Sequence, residues 1–505
     1  MRALALILTA GILLSGCSYT GDDAQGAKRQ KPTRPNVVLI VFDEFGGDIL
    51  LGSDRKIDAG RFPHFAALAR DATWFRNAQT SYDSTTKAVP LILDGVAPRP
   101  KTAPNVRDHP HSIFTALGRA GYRIVPSEEA TAMCPRRYCR SEPARQPAIL
   151  PNLKGGRAER FERFIRSIRA SGRPTLWMKH ALLPHGPWVY LPDGRMSRPP
   201  GPELLPGMQT IPGFYDDYLR HHNEQRQLLQ LGFADRLLGR VIGRLKREGI
   251  YDDTMIVVTA DHGFAWKVGV DTRRNVSLSN VDELGSVPMI VKRPRQRAGG
   301  VSGALARTLD VTPTIADALN VPLGYRADGR SAFSRRVAGR RTVRIVKRDF
   351  SSVVSVSKRR WIARRAAVVR RRLRELGSSD WPSLFTAFGP RRELIGQRVA
   401  DVRAARGVRA TLSLARSFRR VRRASGVVPC QVAGRIHGSG PTAERDIAIA
   451  VNGRIAAVGR SFHLRGEEVE SYSVMVPEES LREGRNIVEV LEVEPGGQMA
   501  LLARG

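Results

Sequence analysis

The feature that most constrains this chain is a six-residue run, Val37-Val38-Leu39-Ile40-Val41-Phe42. It is apolar throughout and rich in β-branched residues. A strand with one wet face alternates apolar and polar side chains. A run without alternation is buried on both faces, as in a parallel sheet covered by helices. Related runs recur at Arg123 to Val125, Thr175 to Met178, Met255 to Thr259 and Pro288 to Lys292. Between them lie segments of helical spacing: Phe62 to Arg70, Ser112 to Arg119, Phe161 to Ala170, Tyr215 to Glu248 and Thr312 to Leu319. This alternation predicts an α/β fold, a doubly wound and mostly parallel sheet, over residues 36–345. Ligands of such sheets gather at the carboxyl ends of the strands.

Beyond residue 345 the pattern changes. Residues 346–426 are basic and partly helical, with Arg364-Arg365 and Arg370-Arg371-Arg372, and read as a connecting region. Residues 427–505 carry short alternating segments. Ile447 to Val451 and Arg454 to Val458 flank Asn452-Gly453, a strong hairpin signal. Strands at Ser471 to Val476 and Asn486 to Val493 complete a small all-β C-terminal domain. The length of 505 residues accommodates this division.

The charge balance narrows the partners. The 82 Lys and Arg, only 12 of them Lys, face 48 Asp and Glu, for a net charge of +34. Such a chain seeks anions, either nucleic acid or an anionic envelope. No apolar run reaches the roughly 20 residues of a spanning helix, which excludes a multi-pass membrane protein. Met1-Arg2 precedes an apolar stretch from Ala3 to Leu14, of signal-peptide length. Leu14-Ser15-Gly16-Cys17 resembles a bacterial lipobox, which implies lipidation at Cys17 and a membrane anchor. Residues 1–17 are then a lipoprotein signal and residues 18–35 a tether. The expectation is an exported cell-membrane lipoprotein facing the envelope, with nucleic acid not a partner. Exported thiols meet oxidising conditions, so Cys134 and Cys139 are expected to close a small disulfide loop. Cys430 is expected to be buried.

Four segments carry chemistry. Asp43-Glu44 directly follows the first strand and can bind a cation there, or cap a helix. Thr80 to Gly95 places hydroxyls before an apolar segment, as a nucleophile or as a helix cap. Lys179, His180 and His185 lie near the end of the third strand-like run and can contact an anion, or be structural. Asp261-His262-Gly263 ends the run at Met255 and offers an oxygen and an imidazole to one metal.

Together these segments resemble the alkaline phosphatase–sulfatase superfamily. Arg34 to Glu44 is similar to its opening strand, Thr259 to Gly263 to its second metal motif, and Pro184-His185-Gly186-Pro187 to its substrate-side histidine segment. Ser286 to Val291, Leu309 to Thr314 and Asp328-Gly329-Arg330-Ser331 resemble its later elements. The resemblance covers about residues 34–335. It implies a metal held by Asp43, Glu44, Thr85, Asp261 and His262, with Zn²⁺ the best fit and Ca²⁺, Mg²⁺ or Mn²⁺ as alternatives. It implies substrate contacts from Lys87, Lys179, His180 and His185, with His185 protonating the leaving group. Sulfatases make formylglycine from Cys or Ser in a C/S-x-P/A-x-R motif. The family spacing of ten residues back from Gly95 reaches Thr85 instead, with Thr86 as the neighbouring alternative, and Thr cannot form formylglycine. The implied activity is hydrolysis or transfer of a phosphate or sulfate ester, lipid- or glycan-linked, through a Thr nucleophile. The competing reading is a catalytically silent lipoprotein of the same fold that grips anionic envelope polymers. His221, His222 and Asp235 are not expected to form a second metal site, Asp235 serving helix packing instead.

Overall fold

A computed structural model describes residues 34–139, 149–200, 214, 216–377, 380–399, 402–438, 440, 444–464 and 467–505. Cys17 and the rest of the expected leader lie outside these residues, as does the tether up to residue 33. Strands β1 (Asn36–Asp43), β2 (Thr73–Phe75), β3 (Arg123–Ser127), β4 (Thr175–Pro184), β5 (Thr254–Ala260), β6 (Met289–Lys292) and β7 (Gly300–Ser302) form one sheet. Its order is β3-β4-β1-β5-β6-β2-β7. All eight residues of β1 are buried, as the unbroken apolar run requires. β4 and β5 flank β1 in parallel register. β6 runs antiparallel to β5, so the sheet is mixed at that edge. The three-residue strands β2 and β7 are too short to carry a readable pattern.

The helices follow the sequence closely. Pro63–Arg70 begins where Asp235, midway along the long helix Asp217–Arg247, accepts the N–H groups of His64 (3.0 Å) and Phe65 (2.8 Å). Asp235 therefore serves helix packing, satisfying donors at a helix start that have no partner within that helix. The helix Thr85–Asp94 ends at Gly95, whose φ of 69° is left-handed and whose N–H reaches Leu91 O.

The basic region is not a linker. Its hairpin β8 (Thr342–Val346) and β9 (Val353–Ser357) leads into the helix Lys358–Leu376, which packs on the α/β domain. Arg365 pairs with Asp48, Arg372 donates to Asp48 O (2.8 Å), and Arg371 bridges Glu224 and Glu283. The last sheet contains β10 (Arg403–Ala404), β11 (Arg409–Ala410), β12 (Gln431–His437), β13 (Asp446–Val451), β14 (Arg454–His463), β15 (Glu470–Met475), β16 (Val488–Val493) and β17 (Met499–Arg504). The β domain thus starts near residue 403, earlier than the expected 427. Its first two strands have two residues each, beneath the length at which alternation shows. Asn452 and Gly453 form the expected tight turn, both with positive φ. Cys134 and Cys139 are disulfide-bonded, with Cα atoms 6.0 Å apart, and Cys430 is buried as a free thiol. No described helix is long and apolar enough to cross a membrane.

Candidate active site

Parallel pairing delivers the first two acids. Asp43 ends β1. The ladder continues one step past β5, where Asp261 N donates to Phe42 O (3.0 Å), so Asp261 lies beside Asp43. Glu44 turns the chain through a left-handed φ of 58°, and its N–H donates to Asp261 Oδ1 (3.1 Å). The N–H of His262 donates to the same oxygen (2.6 Å). The Gly263 carbonyl can only accept, so His262 Nδ1 carries its proton there (2.9 Å) and Nε2 presents a lone pair. Gly263 is needed at this turn, because a Cβ on it would meet Glu283 O at 2.1 Å. Thr85 opens its helix after extended Ser84, and its Oγ1 donates to Asp43 Oδ1 at 3.4 Å.

These groups fit a divalent cation. Asp43, Glu44 and His262 bring ligand atoms within 4.8 Å of one another, and so do Asp43, His180 and Asp261. Glu44 Oε2, Asp261 Oδ2 and both ring nitrogens of His180 are buried without a hydrogen-bond partner. Buried polar atoms in that state are costly unless something binds them. Burial, with repulsion from Asp261 and Glu44, pushes the Asp43 carboxyl well above its ordinary range. A cation would relieve that repulsion and satisfy the open atoms. Carboxylate oxygens with imidazole nitrogens suit Zn²⁺ and do not exclude the harder ions.

His180 corrects the sequence reading. It was expected to face the substrate. It sits opposite Val41 in the β1–β4 register, completely buried, and points at Asp43 and Asp261. Burial lowers its pKa to about 4, which keeps the ring neutral and its nitrogens able to ligate.

A cleft of about 460 Å³ opens beside Thr85 and Thr86. Arg273, Arg274 and Arg348 line it, and Ile149, Leu150 and Leu153 form an apolar wall. Arg273 Nε donates to Glu44 Oε1 (2.5 Å), and its Nη2 donates to His185 Nε2. His185 Nδ1 donates to Gly186 O (2.6 Å). Burial and the Arg273 charge hold His185 well below its ordinary pKa. His185 therefore reaches the cleft as expected, but as a neutral ring whose Nε2 accepts. That state does not suit the expected protonation of a leaving group.

Two further expectations fail. Lys87 lies one turn into the helix, and its ammonium donates to Arg99 O (2.7 Å) and Thr102 O (2.6 Å). Lys179 is fully buried on β4 and paired with Glu129 and Ser127 Oγ. A β-strand sends adjacent side chains to opposite faces, so His180 and Lys179 cannot share one site. The three arginines of the cleft went unread. In a chain with 70 Arg, three more near a catalytic motif carry no signal of their own.

Comparison with known proteins gives a family. The sulfatase family profile matches residues 35–321. Over 98 residues the chain is 33% identical to human N-sulphoglucosamine sulphohydrolase, covering 19% of this chain and 18% of that protein. Over 106 residues it is 31% identical to the multifunctional alkaline phosphatase superfamily protein PehA of Trinickia caryophylli, covering 19% of each. The aligned stretch thus spans about a fifth of these relatives. A phosphonate monoester hydrolase from Silicibacter pomeroyi superposes with a TM-score of 0.43 at 21% identity, over 62% of this chain and 79% of that one.

Proposed function

Because the chain belongs to the sulfatase family, we propose that it is a metal-dependent hydrolase or transferase of phosphate or sulfate esters that uses Thr85 as its nucleophile. The observation that carries this reading is the Thr85 hydroxyl, 3.4 Å from Asp43 Oδ1 at the floor of an Arg-lined cleft. Among the described residues, no cysteine competes for the role. Cys134 and Cys139 are bonded to each other and Cys430 is buried in the β domain. Ser84 lacks the Pro or Ala and the Arg of a formylglycine motif, since Thr86 and Ala88 stand at those positions. A hydroxyl nucleophile favours phosphoryl over sulfuryl transfer.

Asp43, Glu44, His180, Asp261 and His262 would hold the cation. It would stabilise negative charge on the Thr85 oxygen and on the ester as it reacts. Asp43 orients the Thr85 hydroxyl. Attack forms the bond from Thr85 Oγ to phosphorus as its proton passes to Asp43 Oδ1, its hydrogen-bond acceptor, and breaks the bond to the alcohol oxygen, which takes up a proton from solvent as it leaves. Charge builds on the equatorial oxygens, where Arg273 is placed to offset it. His185 fixes Arg273 through Nε2. Water or an acceptor hydroxyl then releases the phospho-threonine. The reading includes an envelope location through Cys17. If Cys17→Ser stays in the membrane fraction at high salt, lipidation is not the anchor.

The test is turnover of bis- and mono-p-nitrophenyl phosphate and p-nitrophenyl sulfate by metal-loaded protein. Thr85→Ala should lose at least about a thousandfold in rate, as nucleophile removal does, and Thr85→Ser should keep partial activity. If Thr86→Ala is inactive and Thr85→Ala active, the nucleophile is Thr86. A metal-loaded protein with no turnover would favour the silent, polymer-binding reading.

A further inference from the structure

A second cleft, of about 530 Å³, lies between the basic helix Lys358–Leu376 and the loop from Asp48 to Arg55. It shares no lining residue with the active-site cleft. Its floor is apolar: Leu51 and Val369 are almost wholly buried, and Ile362 and Leu373 flank them. The polar groups at its base cancel each other. Arg365 donates to Asp48 Oδ1 (2.8 Å) and to Asn77 Oδ1 (3.2 Å).

The rim is different. Arg55, Arg76, Arg370 and Arg374 line the cleft, and among the described residues none of their guanidinium groups has a hydrogen bond or an ion pair. The same helix shows what a satisfied arginine looks like. Arg364 meets Asp282, and Arg371 meets Glu224 and Glu283. Arg370 and Arg374 stand one turn apart, where like charges repel. Four unopposed guanidiniums around an apolar floor call for a ligand that is anionic at one end and apolar at the other.

We propose that this cleft binds an acidic phospholipid, its phosphate among the four arginines and an acyl chain along Leu51, Ile362, Val369 and Leu373. Guanidinium groups bind phosphate oxygens in pairs, and four of them best match the phosphomonoester of phosphatidic acid, which has three free oxygens where a phosphodiester lipid has two. A free phosphate would leave the floor unused. A nucleotide would lack the aromatic stacking surface it favours, since no aromatic residue lines the cleft.

The test uses the full chain carrying Cys17→Ser, so that no N-terminal acyl chain competes. Binding of dioctanoyl phosphatidic acid, below its micelle concentration, is measured by calorimetry. A single site is expected. Arg370→Glu with Arg374→Glu, both at exposed positions, should weaken binding at least about tenfold, the loss of one charge-assisted contact. Arg359→Glu with Arg360→Glu, on the same helix outside the cleft, should leave affinity unchanged. Glycerol 3-phosphate and dioctanoyl phosphatidylcholine should each bind at least about tenfold more weakly, lacking the tail and the net charge respectively. The proposal is overturned if either small ligand binds as tightly as the acid. Equal binding by the Arg370/Arg374 variant overturns it, and so does an equal loss in the Arg359/Arg360 variant, which would mean surface charge alone.

Discussion

Asp43 bears a conflict that the rest of its surroundings does not resolve. It lies buried beside two further carboxylates, with the Arg273 guanidinium as the main opposing charge. Such a group is either protonated or facing a cation, and the open atoms of His180, Glu44 and Asp261 point to the second. His180→Ala should therefore reduce divalent-metal affinity at least about a hundredfold, the upper end of what losing even an outer-sphere partner costs. Metal content after dialysis checks this, with thermal unfolding of the metal-free protein as control. Unchanged metal content would remove His180 from the ligand set. Asp43, Asp261 and His262 were legible because each ends a strand whose apolar run is unmistakable. His180 and Lys179 were not separable by sequence, because only the register shows which face of β4 meets Asp43. That register also gives Lys179 a structural role with a pH signature. Burial alone would raise Glu129, but Lys179 and Arg160 outweigh it and hold the carboxyl at about 2. A depressed carboxylate stabilises the fold above its unfolded pKa, about 4.3. That stabilisation fades as pH falls toward 2. Glu129→Gln removes the carboxylate that neutralises the buried Lys179 and should cost about 3–5 kcal/mol at neutral pH. In urea titrations the gap from the parent protein should narrow below pH 4.3 or so. A gap that stays constant to pH 2 would mean Glu129 is not ionised in the fold.

At the level of elements, periodicity succeeded where segments were long and failed where charge masked it. The helix Asp217–Arg247 and the strands β1 and β5 fall within a few residues of their sequence limits. The helix Lys358–Leu376 lies in the region that reads from sequence as basic, partly helical and merely connecting. The structure instead buries Trp361, Arg365, Val369, Arg372 and Leu376, a stripe at helical spacing. Buried arginine is tolerable here because Asp48 and backbone carbonyls receive its donors. Arg365→Ala leaves Asp48 buried without its charge partner, and should cost about 3–5 kcal/mol. Exposed Arg360→Ala should stay within about 0.5 kcal/mol. Differential scanning of the two variants separates an integral helix from a mere connecting segment. Equal, small shifts would restore the connecting-region reading.

Across the whole molecule, the C-terminal sheet is built against the catalytic half. Tyr218 Oη, on the long helix, donates to Ser473 O (2.8 Å), and His222 Nε2 meets Ser473 Oγ (2.8 Å). Phe462 and Leu464 join Trp188, Phe214, Phe264 and Trp266 in one apolar cluster. Trp188 lies three residues after His185, and Phe264 two after His262, so the β domain supports the segments that carry the site. None of this was legible beforehand, because contacts between residues 250 positions apart leave no local pattern. Phe462→Ala is the sharpest probe. The side chain is almost fully buried, so truncation should cost about 3–5 kcal/mol. If the two halves unfold together, heating should show one transition, displaced downward as a whole. Ester turnover should fall as well, because Trp188 and Phe264 lose a neighbour that holds their backbone in place. Two separate transitions, with only the later residues destabilised and turnover unchanged, would make the β domain an independent appendage rather than part of the catalytic frame.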